Sequence, residues 1–581
     1  MFKEKPARKT ILIAAIFFIF LLIWTLWQFH FNYMVASYDT IFHSQRIYEI
    51  RLAFLNHTLP SWLNFNTFFF TGQAINGMYP DYTLWPFVWI TNFLTPIHQI
   101  IAIRTLIAAG SFIVTFLSLN KRFSSQNAVL AASIFALSGS VLKDLTGEMQ
   151  SGTAIIMMFI FPIFFTLKDI IQSKNWDLKS VLKTALLMTI VVNSHLLSAV
   201  TIAIVAGICL IIETLLRKNF WSWINLLAAA FLTILLSLPI IERVMAISKS
   251  GLLSPFGKGN IISLSLWELV KKPDWDAKAT ISGATIIFLV IALVGLRKSN
   301  LKRLLPWLVV ELILVILSSN IFPWKLFNSL PIINNFQYAN WRFGIFLGVI
   351  PILLILLAYE KRLATIILMF LTLVSYPMAI YTANHNQHFK ADHAVVVTQF
   401  TQKQIPQNKT VKLTSTGINS DKIMRSLLPD YTPDTTPLQK DSDGMFLDGS
   451  IIYPLANHLG QTPQRDFILT PKSTIKSVTW SGQNIPKGNI TLPSYGYKSL
   501  QYRITLNGQP IAWHLSDHGL ITINIPKNLQ KMDVKIKWLT PKVYPVLLIF
   551  SSLLYLLLLG YLIRLNPSFI GNAFSKIKAV L

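Results

Sequence analysis

The chain has 581 residues, 53% of them hydrophobic and 13% charged, with a mean hydropathy of +0.52. That balance excludes an ordinary soluble domain and marks a protein that crosses a membrane many times. Its 51 Lys and Arg against 25 Asp and Glu give a net charge of +26, which in such a chain belongs to loops facing anionic lipid; no Arg-rich, aromatic-interleaved patch argues for nucleic acid as a partner.

A span needs about 20 mostly apolar residues. Residues 11–29 supply the first. Lys3, Lys5, Arg8 and Lys9 precede it in the manner of a signal sequence, but the run exceeds the ~7–15 residues of a signal core. Trp24 and Trp27 read as interface anchors, so a retained helix is expected. Residues 97–119 end at Lys121 and Arg122, 127–142 emerge near Glu148, and 151–167 return to Lys168, Lys174, Lys179 and Lys183. The stretch 184–216 starts and ends in basic residues and reads as a hairpin turning near "NSHLL". Residues 220–243, 281–296, 304–319, 343–358, 363–381 and 543–563 complete the set. The fold class expected is a polytopic α-helical membrane protein with about 12 spans.

Basic clusters such as Arg297–Arg303 and Lys361–Arg362 fall on every second connection. This is the positive-inside pattern with both termini cytoplasmic. A single kinked helix at 184–216 would invert every later segment. The outer side then carries 30–83, 244–280, 320–342 and 382–541. The last is polar, with alternating runs such as "SLQYRITLNG" and "LITINIP" broken by turn signals, and reads as a β-rich domain outside the cell. The expected organisation is a membrane module (1–381), the β-rich domain (382–541), and a last helix with a basic cytoplasmic tail (542–581). The lone Cys209 lies in an apolar stretch, so no disulfide staples the outer domain.

The stretch "VASYDTIFHSQRIYEI" (35–50) follows the first span. At 100° per residue, Ile41, Tyr48, Leu52 and Leu55 share one face of a helix, and Asp39, His43 and Arg46 share the opposite one, each set within about 60°. An amphipathic helix at the outer leaflet is expected. Asp39 as a helix cap, with His43 and Arg46 merely solvated, is the plainer alternative.

The order of parts resembles the GT-C superfamily of membrane glycosyltransferases, with its large first outer loop and an acid soon after the first helix. A closer resemblance is to the bacterial YfhO-like membrane proteins, through "DTIFHSQRIYEI" (39–50), "FFFTGQAINGMYPDYTLWPF" (68–87), "NSHLLSAV" (193–200) and "NNFQYANWRFGIF" (334–346). The last lacks the proline expected there, and residues 382–541 have no match. The resemblance implies a polyprenyl-phosphate-linked sugar as donor and places the catalytic acid at Asp39.

Such a donor needs a base for the acceptor hydroxyl and cations for the leaving phosphate. Asp39 is the candidate base. Arg342 is the candidate phosphate ligand, with Gln337 and Trp341 beside it; interfacial anchoring is the alternative for Trp341 and Arg342. Arg46 either orients Asp39 or binds the same phosphate. Asp81 and Glu148 are candidates for sugar hydroxyls, against a packing role for the Pro-punctuated loop around Asp81. His195 is a substrate-binding candidate or a hydrogen-bonder of its turn. With Asp39 and His43 it also leaves a divalent metal open, although no tight ligand spacing supports one. Glu311, inside a span, is flagged as functional without an assigned partner.

The expected function is transfer of a sugar from a polyprenyl-phosphate carrier to an envelope acceptor, teichoic acid or a surface polysaccharide, at the outer face of a bacterial plasma membrane. A lipid-linked sugar flippase or transporter and a non-catalytic envelope scaffold are the alternatives. The sugar, the acceptor, and retention or inversion stay open.

Overall fold

The computed structural model describes residues 8–36, 38–138, 141–142, 149–253, 261–270, 283–330, 332–384, 411–419, 427–441 and 444–565. Glu148 lies outside them. All the expected apolar stretches carry helix. In chain order these are α1 (Arg8–His30), α2 (Tyr38–Leu55), α3 (Pro96–Leu119), α4 (Ser125–Ala136), α5 (Ser151–Met158), α6 (Ile160–Ile171), α7 (Leu178–Val192) and α8 (Leu196–Arg217). They continue with α9 (Trp221–Leu236), α10 (Leu238–Ser248), α11 (Gly283–Val294), α12 (Leu301–Ser318), α13 (Ala339–Phe343), α14 (Ile350–Ala358), α15 (Lys361–Asn384), α16 (Gly449–Ala456) and α17 (Val543–Arg564).

Among the described residues six spans are long and apolar enough to cross a membrane alone, and two bent pairs raise the number to as many as 8. Helices α5 and α6 meet at 59°, and α9 and α10 at 68°. Proline explains both breaks. Pro162 and Pro239 lack an amide hydrogen, and their rings exclude the carbonyl four residues earlier from a continuous helix. The 184–216 stretch is two helices joined at Asn193–His195, as its charge pattern implied. The bundle core packs α1, α3 and α4 together, with Phe17 of α1 stacked on Phe112 of α3 at 4.3 Å. Trp24 is buried within that core and is not an interface anchor.

Helix α2 departs from the expected amphipathic surface helix. Ile41 is fully buried, but so are His43, Arg46 and Glu49 on its other sides. It is covered because the first loop folds back over it. The Glu49 carboxylate accepts from the Asn66 amide (2.7 Å), the Asn66 side chain (3.0 Å) and the Thr67 hydroxyl (3.0 Å). Gln45 accepts from the Phe68 amide at 3.1 Å. These bonds hold Phe68, Phe69 and Phe70 in a left-handed turn, with φ of 49°, 59° and 60°. Such a turn costs L-residues about 1–2 kcal/mol each.

The β-rich region is a sandwich of two antiparallel five-stranded sheets. One centres on Ser477–Ile485 paired with Leu529–Trp538, the other on Gly488–Tyr495 paired with Leu520–Ile525. Alternation fills the space between them with Trp480, Val534, Ile490 and Ile523. The same core includes Trp62, Phe65 and Phe69 of the first loop. Trp62 packs on Trp538 at 5.2 Å and on Tyr544, at the start of α17, at 5.0 Å. Upstream of the sandwich, strand β2 (Val411–Thr414) pairs antiparallel with β1 (Tyr33–Ala36), so the chain on either side of residue 382 is interwoven at α2.

Candidate active site at the loop end of the bundle

Five separate segments bring polar groups together above the helices. The first is α2. Asp39 lies in its first turn, where a carboxylate complements the helix dipole. His43 and Arg46 follow at one-turn spacing. Arg46 is fully buried and donates through Nη1 to His43 Nδ1 (3.0 Å) and through Nη2 to the carbonyls of Tyr79 (3.2 Å) and Pro80 (3.0 Å). Guanidinium groups only donate, so His43 accepts at Nδ1 and carries its proton at Nε2. The Arg46 guanidinium also lies over the Tyr79 ring at 4.1 Å. Among the described residues it has no carboxylate partner, and burial lowers its pKa. A cation is therefore fixed in place by neutral groups. Of the two roles expected for Arg46, hydrogen-bonded orientation of Asp39 is corrected: Gln150 does this, donating Nε2 to Asp39 Oδ2 at 2.6 Å.

Gln150 and Ser151 form the second segment, at the start of α5. Ser151 Oγ lies 3.2 Å from His43 Nδ1. Gly152 lets this segment lie against the next one; a methyl group there would run into the carbonyl of Ser194. That carbonyl belongs to the third segment, the turn between α7 and α8. His195 caps α8, accepting at Nδ1 from the Ser198 amide (3.3 Å) and lying 2.7 Å from its hydroxyl. The hydrogen-bonding role expected for His195 is thus occupied by one ring nitrogen, and the proton sits on Nε2. Its ring lies 5.5 Å from Tyr79. Burial first, then Arg342 and Arg46, depress its pKa to about 3, so it is neutral.

Arg342 is the fourth contributor, from the short helix α13. Nε donates to the Phe336 carbonyl (2.9 Å) and Nη2 to Gln337 (3.3 Å), while Nη1 has no hydrogen-bond partner among the described residues. Gln337 holds this position from a left-handed φ of 60°. Trp341 is exposed and packs at a tilt against Tyr338, with ring centroids 5.7 Å apart, which fits anchoring better than binding.

Sequence reasoning missed Gln150 and Ser151, and also two residues of a fifth segment. Asp430 and Tyr431, from the segment preceding the sandwich, reach the same site. Burial, then the charge of Asp39, raises Asp430 to about 7. Burial and Asp430 raise Tyr431, against the pull of Arg46 and Arg342. Gln73 fixes the segment by donating to the carbonyls of Leu428 (2.8 Å) and Asp430 (2.6 Å). Some 390 residues separate Asp430 from Asp39 in the chain, and no periodicity marks it.

Asp81 does not join this group as a sugar ligand. It is buried in an ion pair with Arg243 of α10 at 2.8 Å. Arg243 also donates to the Tyr79 carbonyl (3.2 Å), the one that receives Arg46. Asp81 therefore fixes the loop under the site. Among the described residues no group of three metal-ligating side chains is assembled. The Nδ1 atoms of His43 and His195 are taken by Arg46 and Ser198.

No family model and no curated protein matches the chain. Among solved structures it is similar to the arabinofuranosyltransferase AftD from Mycobacteria, at 18% identity and a TM-score of 0.40 over 66% of this chain. It spans only 27% of that chain. It is also similar to ArnT from Cupriavidus metallidurans bound to undecaprenyl phosphate, at 13% identity and a TM-score of 0.32, covering 71% of this chain and 68% of the other. Likenesses this loose do not bear on the chemistry, which rests on the geometry above.

Proposed function

We propose that the protein is a membrane glycosyltransferase of the GT-C type, moving a sugar from a polyprenyl-phosphate carrier to a hydroxyl of an envelope polymer such as teichoic acid, at the outer face of a bacterial plasma membrane. The observation that carries this reading is the placing of one oriented carboxylate, Asp39, in a site lined by two arginines, Arg46 and Arg342, at the end of the bundle opposite its basic loops. The acceptor hydroxyl attacks the anomeric carbon, the sugar–phosphate bond breaks, and Asp39 takes the hydroxyl proton. The leaving phosphate gathers negative charge. Arg342 is the cation with an uncommitted Nη1, so it binds that phosphate, while Arg46 supplies fixed positive potential. Neutral His195 and His43, each with a proton on Nε2, are donors for sugar hydroxyls.

The transport reading has one feature in its favour. Glu311 of α12 is buried, with neither oxygen hydrogen-bonded among the described residues, as expected of an ionisable group on a translocation path. The test is release of polyprenyl phosphate from a labelled polyprenyl-phosphate sugar by the protein in nanodiscs. Turnover on addition of acceptor, with a raised KM for donor in Arg342→Ala, is the expected result. Failure of the wild-type protein to bind the donor, or donor translocation without sugar release, overturns it.

A further inference from the structure

An apolar cavity lies away from the site, between α6, α8 and α12. It encloses about 290 Å³. Its walls are apolar, among them Ile202, Ala206, Val310 and Leu314, and its inner end is closed by Phe346. Its other end is cationic, ringed by Lys168 at the end of α6, Arg217 at the end of α8 and Lys302 at the start of α12.

The dimensions place this cavity in the bilayer. Helix α8 runs 22 residues from the His195 cap at the active site to Arg217 at the cationic rim, a rise of about 33 Å. The rim and the active site therefore lie on opposite surfaces of a hydrocarbon core of about 30 Å. Along α12 the lining runs from Lys302 to Leu314, about 18 Å. This slightly exceeds one leaflet, about 15 Å. The rim carries one acid, Glu213, which is already paired with Arg217 at 3.0 Å. No acid pairs with Lys168 or Lys302 among the described residues.

A leaflet-deep apolar slot with two uncompensated lysines at its mouth has the shape and charge of an anionic lipid. We propose that it is a binding site for an anionic phospholipid of the cytoplasmic leaflet. The phosphodiester sits on Lys168 and Lys302, and one acyl chain lies between α8 and α12 with its end against Phe346. Because Phe346 closes the turn that follows α13, the occupant supports from below the element that carries Arg342. The proposal does not depend on the reaction assigned to the site; the orientation of the chain serves only to name the leaflet.

The experiment is to reconstitute the full chain in nanodiscs of equal phosphatidylglycerol and phosphatidylcholine, re-extract it in mild detergent, and measure retained lipid by native mass spectrometry. The expected result is one phosphatidylglycerol per chain, strongly enriched over phosphatidylcholine. A lysine near a membrane surface contributes about fivefold in such affinity, so Lys168→Ala/Lys302→Ala should lower the enrichment by about 25-fold. Both substitutions are at the rim and leave the core untouched. Ala206→Phe, which fills the slot, should abolish retention of either lipid. Equal retention of the two lipids by the wild type, or unchanged enrichment in the lysine variant, overturns the proposal. So does displacement of phosphatidylglycerol by equimolar polyprenyl phosphate, which would make the slot a carrier site.

Discussion

Removing one member of the Asp81–Arg243 pair tests how the loop beneath the site is held. Both side chains are essentially inaccessible, 0% and 2% exposed, at 2.8 Å. Asp81→Leu leaves a guanidinium buried without its counter-charge, a change that costs about 3–5 kcal/mol. Arg243→Met leaves the carboxylate stranded, and one of its oxygens, Oδ2, already lacks a hydrogen bond among the described residues, so its loss should be at the upper end. The double change Asp81→Leu/Arg243→Met removes both charges together. It should return to within about 1 kcal/mol of the wild type, because buried pairs replaced by apolar groups are often neutral. The Tyr79 carbonyl keeps its bond from Arg46 in that variant. The assay is unfolding in mixed micelles, followed by tryptophan fluorescence and read as a double-mutant cycle. Because two single losses of about 3–5 kcal/mol each collapse to about 1 kcal/mol in the double variant, a coupling of at least about 5 kcal/mol is expected. Additive losses, or a single variant as stable as the wild type, would refute the view that the pair acts as a unit under the site.

Three further outcomes follow from the same structure. Burial raises Glu49 from an ordinary 4.5 to about 7. A raised acid stabilises the fold below its unfolded value and loses that contribution as pH rises through the folded one; stability should therefore drop between pH 4.5 and 7 by up to about 3 kcal/mol, and Glu49→Gln should flatten that slope. His195 is depressed to about 3, so its contribution is present above 6.5 and fades as pH falls; His195→Asn, which keeps the helix cap, should retain stability but raise the KM for donor if Nε2 touches substrate. Protease added to intact protoplasts should remove the sandwich at 459–538, and complete protection there would invert the orientation.

The sequence displayed those parts of the site that lie on one periodic element. The 100° spacing of Asp39, His43 and Arg46 is visible in residues 39–46, and the His195 turn is visible because basic residues flank both helices around it. The β-rich character of this region was legible from alternation in "LITINIP", whose Ile521, Ile523 and Ile525 are buried, but its two-sheet arrangement was not. What escaped was set by long-range packing. Nothing local to Asp430 says that a segment near the sandwich will be clamped by Gln73 beside α2. Gln150 carries no charge to mark it, and 111 residues separate it from Asp39. Arg46 was read on a solvated or ligand-binding face because a helical wheel cannot register the first loop folding over it.

The most direct measurement compares Asp39→Asn and Asp39→Ala with wild type, at equal protein level, in sugar transfer from a defined polyprenyl-phosphate sugar. Asn keeps the size of Asp39 and its polar contact with Gln150 but cannot accept the acceptor's proton. Both variants should accumulate normally and bind donor, since donor binding depends on Arg342. Both should lose about 10²–10⁴ in turnover, the usual contribution of a general base. Wild-type turnover by Asp39→Asn, with loss only in Asp39→Ala and only through lower stability, would contradict the account and leave Asp39 as a structural residue of α2.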